Sequence, residues 1–102
     1  MTPAGRLQAA IDLLAALEAE PRRPADAIAN DFFRARRFIG AADRRAVSEL
    51  AWGAVRQRLR LDWHLDRLGA APTPRALLVA ELMLAEGWSP QKLAGHFTGD
   101  RF

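Results

Sequence analysis

Apolar residues recur at spacings of three and four from the start of the chain: Leu7, Ala10, Ile11, Leu14 and Leu17. That period lays one stripe along a helix. The helix ends before Pro21, and Pro21-Arg22-Arg23-Pro24 forms a short stiff connection. A second helix is predicted from near Pro24, with Ala25, Ile28, Ala29, Phe32 and Phe33 on one side, running out by Gly40. A third begins around Asp43 and turns Val47, Leu50, Ala51, Ala54 and Val55 inward. Its pattern continues, with a bend, through Leu61 and Leu65 to Leu68 and a stop at Gly69. Residues from Pro74 to about Glu86 are apolar almost all round, which predicts the buried centre of a bundle. A short last helix is predicted from about Pro90 to His96.

The helix starts are marked chemically. Thr2-Pro3, Thr73-Pro74 and Ser89-Pro90 each set a capping hydroxyl before a proline at the first helical position, where the missing N–H costs nothing. Gly87 is the expected cap after the fourth apolar run. No run alternates with period two for long enough to suggest a strand. The expectation is an all-α domain over residues 1–102, a bundle of about five to six helices.

Composition narrows the function classes. The chain has 102 residues, half of them apolar, about one domain's worth. It has no cysteine, so disulfides, thiolate nucleophiles and cysteine zinc sites are all absent. The first twenty residues carry Asp12, Glu18 and Glu20, unlike the uncharged core of a signal peptide. Glu81 splits the longest apolar stretches, which fall well short of the roughly 20 residues needed to span a bilayer. A cytoplasmic protein with no membrane partner is expected.

Catalytic constellations are missing from the pattern. Asp62, His64 and Asp66 lie two apart, so a helix fans them around its surface instead of converging them on a metal. Ser48 and Ser89 have no histidine nearby in sequence to act as a base. No glycine-rich phosphate loop or βαβ unit is present to hold a nucleotide. The chain alone is expected not to be an enzyme.

Charge is concentrated in one place. From Arg34 to Arg60 there are eight arginines, at 34, 36, 37, 44, 45, 56, 58 and 60, against Asp43 and Glu49, a local net charge of +6 in a chain of +3. Such a lobe suits a polyanion. Fourteen arginines to one lysine, with abundant alanine, is also what a GC-rich coding sequence writes, so placement matters more than number. Opposite the apolar stripe runs Arg45, Glu49, Trp52, Arg56, Arg60 and Trp63. Guanidinium groups pair with phosphates in a fork, and aromatic rings stack on unpaired bases. The simpler reading packs Trp52 and Trp63 against neighbouring helices and leaves the arginines solvated or paired with acids. Gly53, mid-helix at a cost of roughly 1 kcal/mol relative to alanine, predicts a close helix–helix contact.

The pattern Asp43-Arg44, Val47, Glu49-Leu50, Gly53, Val55-Arg56, Asp62-Trp63 and Leu65 to Leu68 resembles the NusB-like N-terminal domain of the RsmB/Sun (Fmu) rRNA cytosine-5 methyltransferases. The same domain stands alone as the NusB antitermination factor. Phe33-Arg34, Arg36-Arg37-Phe38-Ile39-Gly40, Ala85-Glu86-Gly87-Trp88-Ser89-Pro90 and Phe97-Thr98-Gly99-Asp100-Arg101-Phe102 extend the likeness along nearly the whole chain. Ala41-Ala42 departs from it, since small-polar and then basic residues usually follow the position of Gly40. The resemblance implies an RNA-binding accessory domain that holds ribosomal RNA through Arg34, Arg36, Arg37, Arg44, Arg45, Arg56, Arg58 and Arg60. It also implies a partner in a catalytic domain of the same protein, absent from these residues, that uses S-adenosylmethionine and a cysteine. This chain itself calls for no cofactor. The alternative is a protein-docking module like the antitermination factor, anchored by Trp88, Phe97 and Phe102 where those aromatics do not close the bundle's own core.

Overall fold

A computed structural model describes residues 1–84, 87–89 and 91–92. Among these residues the structure is all-helical, with five helices in the order α1 (Pro3–Ala19), α2 (Ala25–Ala35), α3 (Ala41–Arg56), α4 (Arg58–Arg67) and α5 (Pro74–Leu84). The capping chemistry is as the sequence predicts. Thr2 Oγ1 accepts from Gly5 N at 3.0 Å, Thr73 Oγ1 from Ala76 N at 3.1 Å and Ser89 Oγ from Lys92 N at 3.1 Å. Each bond satisfies one of the donors a helix start leaves open.

The stop after α4 is a Schellman turn. Gly69 takes φ +70°, its N–H bonds to Asp66 O at 3.0 Å, and Ala70 N reaches Leu65 O at 2.9 Å. Only a residue without Cβ adopts that φ freely, so Gly69 turns the chain toward Pro74 at low cost. Gly87 also takes φ +70°.

α1 packs on α2, α3 and α5, most extensively on α3, while α5 packs on α1, α3 and α4. The centre is therefore shared. Leu13 of α1 and Leu77, Leu78 and Leu82 of α5 are all fully buried, but Met83 and Leu84 at the end of α5 face outward. The predicted all-round burial of this run is thus corrected: Leu77, Leu78, Glu81 and Leu82 are buried along one side, while Ala76, Val79 and Ala80 are only partly covered. One apolar cluster joins α1, α2, α3 and α5 through Leu7, Ile11, Phe32, Phe33, Ile39, Val47 and Leu78; a second joins Leu14, Ala54, Leu61, Leu65 and Leu77.

The second cluster explains the bend. Gln57 leaves the helical region at φ −102° and ψ 14°, its N–H still bonded to Gly53 O, and Leu61 N restarts the ladder on Gln57 O. α4 then leans on α5 more than on α3, which brings Leu61 and Leu65 into the core. Each such leucine contributes about 1.5–3 kcal/mol by leaving water.

Candidate nucleic-acid interface

The eight arginines fall into two groups, at opposite ends of α3. Five belong to the end of α2, the turn after it and the start of α3. Three belong to the α3–α4 junction. Along α3, Arg45 and Arg56 are eleven positions apart, or roughly 17 Å at 1.5 Å per residue.

The α2–α3 corner is built on two phenylalanines. Phe32 and Phe33 are buried with their rings edge to face, centroids 5.2 Å apart. The Arg36 guanidinium lies 3.8 Å from the Phe32 centroid and donates to the Phe32 carbonyl at 3.2 Å. The Arg44 guanidinium lies 5.3 Å from the Phe33 centroid. A ring beneath a guanidinium orders the flat ion and leaves most of its five N–H donors at the edge. Arg37 and Arg45 are exposed at the same corner. Among the described residues, no carboxylate lies within 4.0 Å of Arg36, Arg37, Arg44 or Arg45.

The acid nearest this corner in sequence is already engaged. Asp43, in the first turn of α3, accepts from Arg6 Nε of α1 at 2.6 Å, and that bond holds its carboxyl below the usual carboxylate range. Its charge therefore answers Arg6 and leaves the corner positive. Arg34 differs from its neighbours: it pairs with Asp31 one turn back at 3.2 Å, while Asp31 also accepts from Arg23. Exposed pairs of this kind are worth only about 0–1 kcal/mol, so a phosphate competes with Asp31 at little cost.

At the junction the three arginines diverge. Arg58 bonds Glu18 of α1 and Asp62 of its own helix, the latter at 2.9 Å. Its partial burial alone would lower its pKa; the two carboxylates outweigh that and raise it. Arg58 is thus a tie between α4 and α1. Arg56 and Arg60 are exposed, with no carboxylate within 4.0 Å among the described residues.

The tryptophans divide as well. Trp52 is half-buried beside a cleft of about 280 Å³ lined by Leu14, Leu17, Ile28 and Val55. That is just under the range of small-molecule pockets, and Glu18, Glu20, Arg23 and Arg58 line it as well. Trp63 points out, 57 % exposed, with the Arg67 guanidinium 4.9 Å above its ring and His64 edge-on at 4.9 Å. The packing expected of both rings therefore holds for Trp52 and is corrected for Trp63, because the bend turns that side of α4 to solvent.

No protein-family profile, curated protein or solved structure matches this chain.

Of the docking anchors, Trp88 is half-buried against the α1–α3–α5 cluster, with Lys92 Nζ 4.2 Å from its ring centroid. Its ring covers this molecule's own core. Phe97 and Phe102 lie outside the described residues, as does most of the predicted last helix. Among the described residues no group of three or more histidine, aspartate or glutamate side chains is placed to hold a metal, and no helix is long and apolar enough to cross a membrane.

One feature of the corner escaped the pattern of hydrophobic positions: Phe38 is 78 % exposed while its neighbour Ile39 is 1 % exposed. The adjacent basic residues Arg36-Arg37 were its only sequence signal.

Proposed function

We propose that this chain is an RNA-binding accessory domain, of the NusB-like kind its sequence resembles, which holds ribosomal RNA for the catalytic domain of a cytosine-5 methyltransferase. The α2–α3 corner carries the reading. Four guanidinium groups there (Arg36, Arg37, Arg44 and Arg45) have no carboxylate within 4.0 Å among the described residues. Two of them are pre-ordered on buried rings. Arginine forks match phosphate oxygens two at a time, so such a corner grips a polynucleotide backbone without reading its sequence. Arg34, Arg56 and Arg60 extend the surface; Arg58 serves the fold. Reversal of Arg36, Arg37 and Arg45 to glutamate tests the assignment by fluorescence anisotropy on labelled ribosomal RNA fragments. Loss of binding with an unchanged circular dichroism spectrum supports the reading; unchanged binding refutes it.

A second reading, protein docking, draws on a different face. Leu59 and Trp63, one turn apart on α4, are 87 % and 57 % exposed. Such an apolar pair suits a protein surface, the catalytic domain of the parent enzyme being the partner this reading names. Restored association with that domain in trans, abolished by Leu59→Asp, would favour it.

A further inference from the structure

We infer that Phe38 is a base-stacking platform, so that the polynucleotide held at the α2–α3 corner is single-stranded where it crosses the turn. The inference rests on the RNA-binding reading above and adds the kind of RNA bound. The turn itself dictates the ring's position. Ile39 N bonds Arg36 O at 3.0 Å, and the Ile39 side chain is inserted into the core between α1, α2 and α3. With Ile39 committed inward and Arg36 lying back over Phe32, the intervening positions 37 and 38 project outward together.

An exposed large aromatic on a turn is a forfeited opportunity, since a buried phenylalanine is among the strongest apolar contributors to a small fold. Leucines exposed singly are common, but this ring directly follows Arg37 in the chain, in the turn that joins the ring-backed Arg36 to the start of α3, where the ring-backed Arg44 lies. A flat ring amid cations has the chemistry of single-strand recognition, in which phosphates meet guanidinium groups and each unpaired base offers a face to stack on. A duplex offers the phosphates but keeps its bases stacked on one another. Phe38 therefore discriminates between the two, while the arginines do not.

The test compares oligouridine with a fully paired RNA duplex on the whole 102-residue chain and its Phe38→Ala, Phe38→Leu and Phe38→Trp variants. Exposure of the ring means that all three should keep the parent melting temperature. The expected result is a roughly ten- to hundredfold weaker grip on oligouridine for Phe38→Ala and Phe38→Leu, and retention by Phe38→Trp. Duplex affinity and the salt slope should be unchanged in all three. Equal losses on both RNAs, or none on oligouridine, overturn the platform while leaving the arginine corner standing. Failure of the parent chain to bind either RNA overturns both readings. Release of Phe38→Ala from phosphatidylserine vesicles, with oligouridine binding intact, assigns the ring to a membrane surface and also overturns the proposal.

Discussion

Gly53 of α3 faces Glu81 of α5 so closely that a Cβ on the glycine would stand 2.9 Å from Glu81 Oε1 and 3.4 Å from Cδ. Glu81 is 4 % exposed, the one charged side chain in the buried set of the described residues. The glycine therefore makes room for a carboxylate between two helices and sets how near α3 lies to α5. Gly53→Ala gains about 1 kcal/mol of helix propensity but overpacks the contact by about 1–3 kcal/mol. Chemical denaturation should show a net loss of up to about 2 kcal/mol. In a Glu81→Ala background the same change should be neutral or stabilising, a coupling of at least about 0.5 kcal/mol. Equal effects in both backgrounds would show that the two groups do not share the space.

The arginines should separate by role. Arg58→Gln removes bonds to Glu18 and Asp62 and should lower stability by about 0.5–1 kcal/mol, with RNA affinity changed little. Arg37→Glu and Arg45→Glu should leave stability within about 0.5 kcal/mol and weaken RNA binding. Thermal melts and anisotropy on the same samples decide it, and a melt shifted by Arg37→Glu or Arg45→Glu counts against the division.

Acid should loosen the link between α1 and α3. The Arg6 bond holds the Asp43 carboxyl below its ordinary value in the folded state. Its contribution is then complete above the unfolded aspartate pKa of about 3.9 and lost as the pH falls from there through the folded value. Asp31, lowered by its bond from Arg23, acts in the same direction. Melting temperature plotted against pH should fall below about pH 4, and more shallowly in Asp43→Asn than in the parent. Parallel curves would remove Asp43 from the account.

Two tryptophans should answer differently to truncation. Trp88 packs on the main cluster and Trp63 does not. Trp88→Ala should cost about 1–3 kcal/mol, whereas Trp63→Ala should fall within about 0.5 kcal/mol of the parent. Matched urea titrations make the comparison; a costly Trp63→Ala would mean that the outer face of α4 is structural.

Helical periodicity carried most of the fold, and the capping hydroxyls at Thr2, Thr73 and Ser89 marked three helix starts because those bonds span only three residues. What escaped was long-range. Arg58 looks like its neighbours in the chain, and only folding brings Glu18, forty positions earlier, against it. Asp43 read as a helix-start acid, but Arg6, thirty-seven positions away, is what occupies its carboxylate. Trp63 continued the stripe of Trp52 on paper, yet the break at Gln57 turned it to solvent. Phe38 and Ile39 are both apolar and adjacent, and the pattern alone did not say which one the turn would bury.

The most direct measurement is RNA affinity as a function of salt. Four phosphate contacts on a single strand give a slope of log K against log salt of about −3, and roughly a fifty- to hundredfold loss between about 50 and 200 mM. The account predicts that slope for the parent chain and a much flatter one for the triple reversal of Arg36, Arg37 and Arg45. A flat response in the parent, or the same steep slope in both, would contradict it.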